Sequence, residues 1–285
     1  RYQAQVQGQA AKAAAIVPGA AADGAAAEGA ATGTAAADST AAADSTAAAA
    51  RPAPAARPQA GLRAFLANRR LLVMLAGTAG CWFLLDYAYY GNTISTPQIL
   101  SLITPNASTM TKIALQLAIF VVAAVPGYIL AIARLDRIGH RKLQVVGFAM
   151  MAVCFLIIAI VPGMTTTVAP FLIVYGISYF FTEFGPNMTT FVLPSEIYPV
   201  SMRATGHGIS AGVGKLGAFI GVFLFPVLQS SLGLRGTLLL TGGVSVLGLA
   251  LTFVLPEPAG LSLDDIAASV DAPPAAAHLR QPVGA

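Results

Sequence analysis

Large apolar side chains fall in blocks along the chain. Residues 1 to 60 are mostly alanine with scattered Pro, Gly, Ser and Thr, whereas residues 71 to 255 hold nearly all the large apolar side chains. Within that second region six apolar stretches stand out, at 71–94, 112–134, 143–161, 169–192, 207–230 and 236–255. Each has about the 20 residues that an α-helix needs to cross ~30 Å of hydrocarbon. The pattern predicts an all-α membrane protein with six spans. Pro126, Pro186 and Pro226 fall inside spans, where a helix tolerates them only if neighbouring helices or a cavity re-satisfy the freed backbone groups. Bends are expected there. In the fifth span Gly208, Gly212, Gly217 and Gly221 form two small-xxx-small pairs, which permit close helix contact.

The first region reads differently. The hexad Ala-Ala-Ala-Asp-Ser-Thr occurs at 35–40 and again at 41–46, followed by Arg51-Pro52-Ala53-Pro54 and Arg57-Pro58. Alanine faces bury too little area to dock, so a disordered linker with transient helix is expected. The predicted organisation is an Ala-rich cytoplasmic linker over 1–62, a six-span bundle over 63–258 and a cytoplasmic tail over 259–285. Because the chain opens on Arg1, with no signal-peptide apolar core behind it, the expectation is a fragment or part of a longer product.

Composition narrows the function. Of 285 residues 56% are hydrophobic and 10% charged, with a mean hydropathy of +0.72, against about 25% charge in a soluble domain. This argues against a water-soluble enzyme fold. The net charge of +4 does not mark a nucleic-acid surface, because the bases flank apolar runs instead of forming one patch. Arg63, Arg69, Arg70, Arg134, Arg137, Arg141, Lys142 and Arg203 fall on one side of the spans, against Lys112 and Arg235 on the other. By the positive-inside rule this places both termini in the cytoplasm. Cys81 and Cys154 lie inside apolar runs without metal-ligand spacing, as small hydrophobes do, so no disulfide, metal or cofactor is assigned.

Three ionisable side chains fall clearly within the spans: Asp86, Glu183 and Lys215. Each would cost roughly 2.5 to 3.5 kcal/mol if unpaired at the bilayer centre, so they mark a polar pathway. Trp82, Asp86 and Tyr90 follow at i, i+4 and i+8, drifting ~40° per step, and so share one helix stripe. Glu183 and Asn187 repeat the four-residue spacing across Gly185-Pro186. A carboxyl, an amide, two aromatic donors and one cation suit a small tetrahedral oxyanion; a structural ion pair of Lys215 with a carboxylate is the other reading. No nucleophile, base and orienter constellation is present, which argues against an enzyme.

These positions resemble the carboxyl half of the phosphate:proton symporter family of the major facilitator superfamily. The resemblance rests on Trp82-Phe83-Leu84-Leu85-Asp86 with Tyr90, on Phe184-Gly185-Pro186-Asn187-Met188-Thr189-Thr190-Phe191, and on His207-Gly208-Ile209-Ser210-Ala211 with Gly214-Lys215. General superfamily marks accompany them in Asp136-Arg137-Ile138-Gly139-His140-Arg141-Lys142, in Glu196-Ile197-Tyr198-Pro199 with Arg203, and in Pro256-Glu257-Pro258. The resemblance implies a six-helix carboxyl-terminal bundle preceded by the family's central cytoplasmic loop. It implies that Trp82, Asp86, Tyr90, Asn187 and Lys215 contact phosphate; Asp86 and Glu183, read from their own chemistry as buried carboxyls, are the candidates for proton coupling or charge balance. Glu183 departs from the family's usual asparagine. Asp136, Arg137, Gly139, Arg141, Glu196 and Arg203 are implied as loop and gating residues. The implied partners are inorganic phosphate, protons, the lipid bilayer of the plasma membrane and an amino-terminal half outside this chain. Transport of another anion or organic solute, or a partial product acting only as an interaction partner, are the alternative expectations.

Overall fold

The computed structural model describes residues 62–262 and Asp265. The linker expected over 1–62 lies outside these residues apart from its last position, as does most of the expected tail. A short helix, α1 (Leu62–Ala67), leads into α2 (Arg69–Ile103). Asn68 caps α2 by accepting from the backbone N–H groups of Arg70 and Leu71 at 3.0 and 3.3 Å, which satisfies two of the otherwise orphaned donors. The second crossing runs through α3 (Thr109–Ile119), a π-helical turn (Phe120–Ala124) and α4 (Val125–Ile138). Pro126 stands directly after that turn. Its missing N–H and bulky ring are thus absorbed by a change of helical register, and the crossing continues.

The third crossing is α5 (His140–Ile160), and the fourth is α6 (Val168–Phe184) joined to α7 (Pro186–Glu196) through a real break at Gly185. There a Cβ on Gly185 would strike the Gly147 backbone of α5, and one on Gly147 would strike Pro186. The break therefore coincides with the closest approach of two helices. The last helix, α8 (Arg203–Thr252), is 50 residues long, roughly 75 Å if straight and more than twice the hydrocarbon thickness. It is interrupted at Gly233, whose φ of 69° and ψ of 175° lie outside the helical region. Thr78 Oγ1 lies 2.8 Å from Ser210 Oγ, while Cys81 Sγ lies 3.6 Å from Thr252 Oγ1. One turn of α2 meets both arms, so α8 folds back on itself at Gly233. Five helices are long and apolar enough to cross a membrane, and the hairpin in the longest makes six crossings among the described residues.

Packing corrects one expectation. Pro226 lies inside helix, within the fifth span as read from the sequence. Of the four glycines, Gly217 and Gly221 press on the backbone of Phe83 and Tyr87 in α2, but Gly208 and Gly212 have open space around them. The working stripe is instead Gly214, Gly217 and Gly221, with Gly214 against the Trp82 ring. Buried hydroxyls are satisfied within their own helices, as in Thr96 to the Asn92 carbonyl and Ser245 to the Thr241 carbonyl, the arrangement open to polar side chains away from water. Outward-facing Ile113, Leu117, Val122, Ile129 and Ile132 are more than half exposed, as a lipid-facing surface requires.

Candidate functional site

The stripe expected on α2 forms, and α8 completes it. Lys215 Nζ donates to Asp86 Oδ2 at 3.0 Å and to the Tyr90 hydroxyl at 3.4 Å, and sits 4.8 Å from the centre of the Tyr90 ring. The glycine stripe of α8 is the cause, because Gly217 and Gly221 bring the two backbones close enough for a lysine to reach across. The pair is asymmetric: the Asp86 side chain is 3% exposed and that of Lys215 57%. A buried carboxylate thus holds a cation whose other face is open to whatever covers this side of the bundle.

Trp82 is buried, 1% exposed, and its ring lies 4.4 Å from Phe191 and 5.5 Å, edge-on, from His207. Its Nε1–H is buried without a hydrogen bond of good geometry among the described residues, although it lies within electrostatic reach of Asp86. Glu183 and Asn187 meet across the break at Gly185, with Asn187 Nδ2 donating to Glu183 Oε2 at 2.5 Å. Glu183 also interacts with Tyr89. Tyr89 and Tyr90 stand edge to face at 5.3 Å, and these adjacent tyrosines of α2 reach different groups, Tyr89 the Glu183 carboxyl and Tyr90 the Lys215 ammonium. Lys215 takes Asp86 and not Glu183 as its ion-pair partner. Phe191, His207 and Tyr89 were not singled out from the sequence. Phe191 and His207 stand at the ends of quoted motifs without a role of their own, Phe191 one helical turn beyond Asn187, and Tyr89 has only its place beside Tyr90.

A second cluster forms where the loop motifs meet. Gly139, with φ 98°, ends α4 and offers no side chain to cap α5. Glu257 supplies the cap from more than a hundred residues away: its carboxylate accepts from the backbone N–H of His140 at 2.9 Å and of Arg141 at 3.1 Å. A carboxylate at a helix N-terminus meets both the orphaned donors and the positive end of the dipole. A Cβ on Gly139 would collide with this carboxylate, which accounts for glycine in the motif. Burial alone would raise the Glu257 carboxyl, but the His140 side chain and the backbone N–H groups of Ala259 and His140 outweigh it and hold the group below its ordinary value. Arg141 Nη1 donates to the Leu255 carbonyl at 3.1 Å, and Arg203 Nε and Nη2 donate to the Tyr198 carbonyl at 3.3 and 3.2 Å. Asp136 and Glu196 stand beside His140 at 3.9 and 3.4 Å, whereas Arg137 is exposed. Among the described residues no group of three His, Cys, Asp or Glu side chains is arranged to hold a metal ion.

Residues 59–269 match the family described as "Sugar (and other) transporter". The chain belongs to this transporter family. Its curated relatives include "Probable inorganic phosphate transporter 1-6" of Arabidopsis thaliana, 40% identical over 223 residues, which cover 74% of this chain and 43% of that protein. "Inorganic phosphate transporter 1-6" of Oryza sativa subsp. japonica is 38% identical over 232 residues, covering 72% and 43%. "Inorganic phosphate transporter 1-1" of Arabidopsis thaliana is 36% identical over 230 residues, covering 71% and 44%. The chain therefore spans less than half the length of these relatives. Family membership and the apolar helices together make it an integral, multi-pass membrane protein of the transporter class.

Proposed function

We propose that the chain is the carboxyl-terminal half of a proton-coupled transporter of inorganic phosphate, working at the plasma membrane with both termini in the cytoplasm. The observation that carries this reading is the Asp86–Lys215–Tyr90 cluster, a buried carboxylate bound to a half-open ammonium in the membrane interior. The relatives' names support the choice of phosphate among anions.

The chemistry follows from competition for one cation. Phosphate enters with one to two negative charges, and Lys215 is already engaged by Asp86. For the anion to take the ammonium, Asp86 must give it up, and a bare carboxylate beside phosphate in low dielectric is strongly repelled. A proton on Asp86 removes that repulsion and frees Lys215. Proton and phosphate are then bound together and released together, with the Tyr90 hydroxyl and Asn187 amide as donors and Trp82 behind them. Glu183, tied to Asn187, orients that amide and balances charge. Substrate held between two halves that rock about a midplane site is the general transporter arrangement, so an amino-terminal half is the expected partner.

The test is uptake of radiolabelled phosphate in liposomes under an inward proton gradient, with the purified chain alone and with an amino half supplied in trans. Saturable accumulation is expected only with both halves. Robust accumulation by the chain alone would overturn the half-transporter reading, and transport of a sugar but not phosphate by the assembled pair would overturn the substrate. For orientation, epitope tags placed before Arg51 and after Asp265 are expected to be accessible only after permeabilisation.

A further inference from the structure

His140 opens α5 at the end of the bundle where three other segments converge. Its side chain is 5% exposed, yet neither ring nitrogen makes a hydrogen bond of good geometry among the described residues. Carboxylates stand on both sides of the ring: Asp136 of α4 lies 3.9 Å from Nε2, while Glu196 at the end of α7 and Glu257 beyond α8 lie 3.4 and 3.6 Å from Nδ1. The nearest base on its own helix, Arg141, is engaged by the Leu255 carbonyl, and Arg203 at the start of α8 by the Tyr198 carbonyl. Three carboxylates on three segments therefore surround one imidazole. A cavity of about 410 Å³, lined by Asp136, His140, Glu196 and residues 258–261, opens onto the cluster and gives protons a route to it.

The ring decides how many of these segments are tied. A neutral imidazole carries one N–H and can donate on one side, whereas an imidazolium carries two and can donate on both. Only the charged form bridges Asp136 to the Glu196–Glu257 side, and it also offsets the repulsion among the three carboxylates. A free imidazole titrates near pH ~6.5, well above a carboxylate at ~4.3. A change between pH 5.5 and 8.5 thus belongs to the ring.

We propose that His140 is a proton-operated clasp: protonated, it ties Asp136 of α4 to Glu196 and Glu257 on the other side of the ring, and neutral, it releases one side, leaving Glu257 on the α5 backbone alone. Resting on the phosphate-symport reading, its role is feedback, since protons delivered to the cytoplasm would stiffen this end of the bundle and slow further import. The clasp itself does not depend on which solute is carried.

The test is hydrogen–deuterium exchange of the 285-residue chain in lipid nanodiscs between pH 5.5 and 8.5, corrected for the intrinsic exchange rate and read on peptides covering 136–146 and 253–262. Protection of these peptides is expected to fall by about tenfold across the window, the weight of one charge-assisted hydrogen bond, while peptides in 75–90 stay level. His140→Arg, permanently charged, should hold protection at both ends of the window, and His140→Gln should be unprotected at both. Flat wild-type protection would overturn the clasp, and so would a wild-type pH profile in His140→Gln. Absence of phosphate uptake by the assembled halves, with this titration intact, would count against the substrate alone.

Discussion

The midplane cluster and the end cluster are both built from acids and bases, but they balance them in opposite ways. At the midplane one carboxylate meets one ammonium, the acid buried and the base half open, so the base can change partners. At the end, three carboxylates share one imidazole, and one of them is also anchored to the helix backbone through two N–H groups. That end can tighten or loosen, and its imidazole is ringed by carboxylates and not open to an anion. Matching charge one to one leaves an exchangeable site, whereas an excess of one sign held by backbone donors leaves a joint. The proposed roles follow that difference, with solute chemistry at the first cluster and conformational control at the second.

The contrast is broken most severely at the pair itself. In an assembled transporter Asp86→Asn is expected to abolish proton-driven accumulation while insertion stays normal, because the amide keeps size and hydrogen bonding but cannot release a proton. Uphill uptake at wild-type levels in that variant would remove Asp86 from the mechanism. Lys215→Ala is expected to weaken phosphate binding by roughly 30-fold or more, the effect of removing one partner of a desolvated charge pair. Unchanged affinity by isothermal titration would show the ammonium to be structural.

A smaller effect is expected two residues further along α8. Gly217→Ala pushes a methyl into the Phe83 carbonyl, and Gly208→Ala meets open space. The first should destabilise the chain by about 1–3 kcal/mol of overpacking, read as a lower thermal midpoint in detergent, and the second should be neutral. Equal behaviour of the two would contradict the assigned helix face. Glu183→Asn should change uptake by less than about threefold, since no cation loses its partner and side-chain amides can still pair across the Gly185 break. A collapse as deep as that of Lys215→Ala would make Glu183 part of the charge pair.

The smallest effect belongs to the helix cap. Glu257→Gln should cost about 1 kcal/mol of stability near neutral pH, as loss of a charged N-terminal cap does. The sign with pH follows from the lowered carboxyl: its stabilisation is present above the unfolded value of ~4.3 and is lost as the pH falls through the folded one. Thermal melts from pH 7 to pH 3.5 should therefore converge for wild type and Glu257→Gln at the acid end. A constant gap across that range would place the effect elsewhere.

Six crossings, the Trp82–Asp86–Tyr90 stripe and the Glu183–Asn187 step were legible from the chain alone, because hydrocarbon thickness sets helix length and a four-residue spacing sets one face whatever the surroundings. The resemblance pointed to Gly139 as a loop residue, and Pro186 announced the trouble at Gly185-Pro186. What the one-dimensional pattern could not settle is which partner each lone charge takes. The sequence places Lys215, Asp86 and Glu183 all inside spans, and only the glycine stripe pressing α8 onto α2 selects Asp86. The same limit hid Glu257, whose capping of α5 joins residues 117 positions apart, and hid the ring of acids about His140. Helices form from neighbours in sequence, so their existence is written locally; charge pairing inside the bundle depends on how those helices rotate and cross, and that is decided only when all of them are packed.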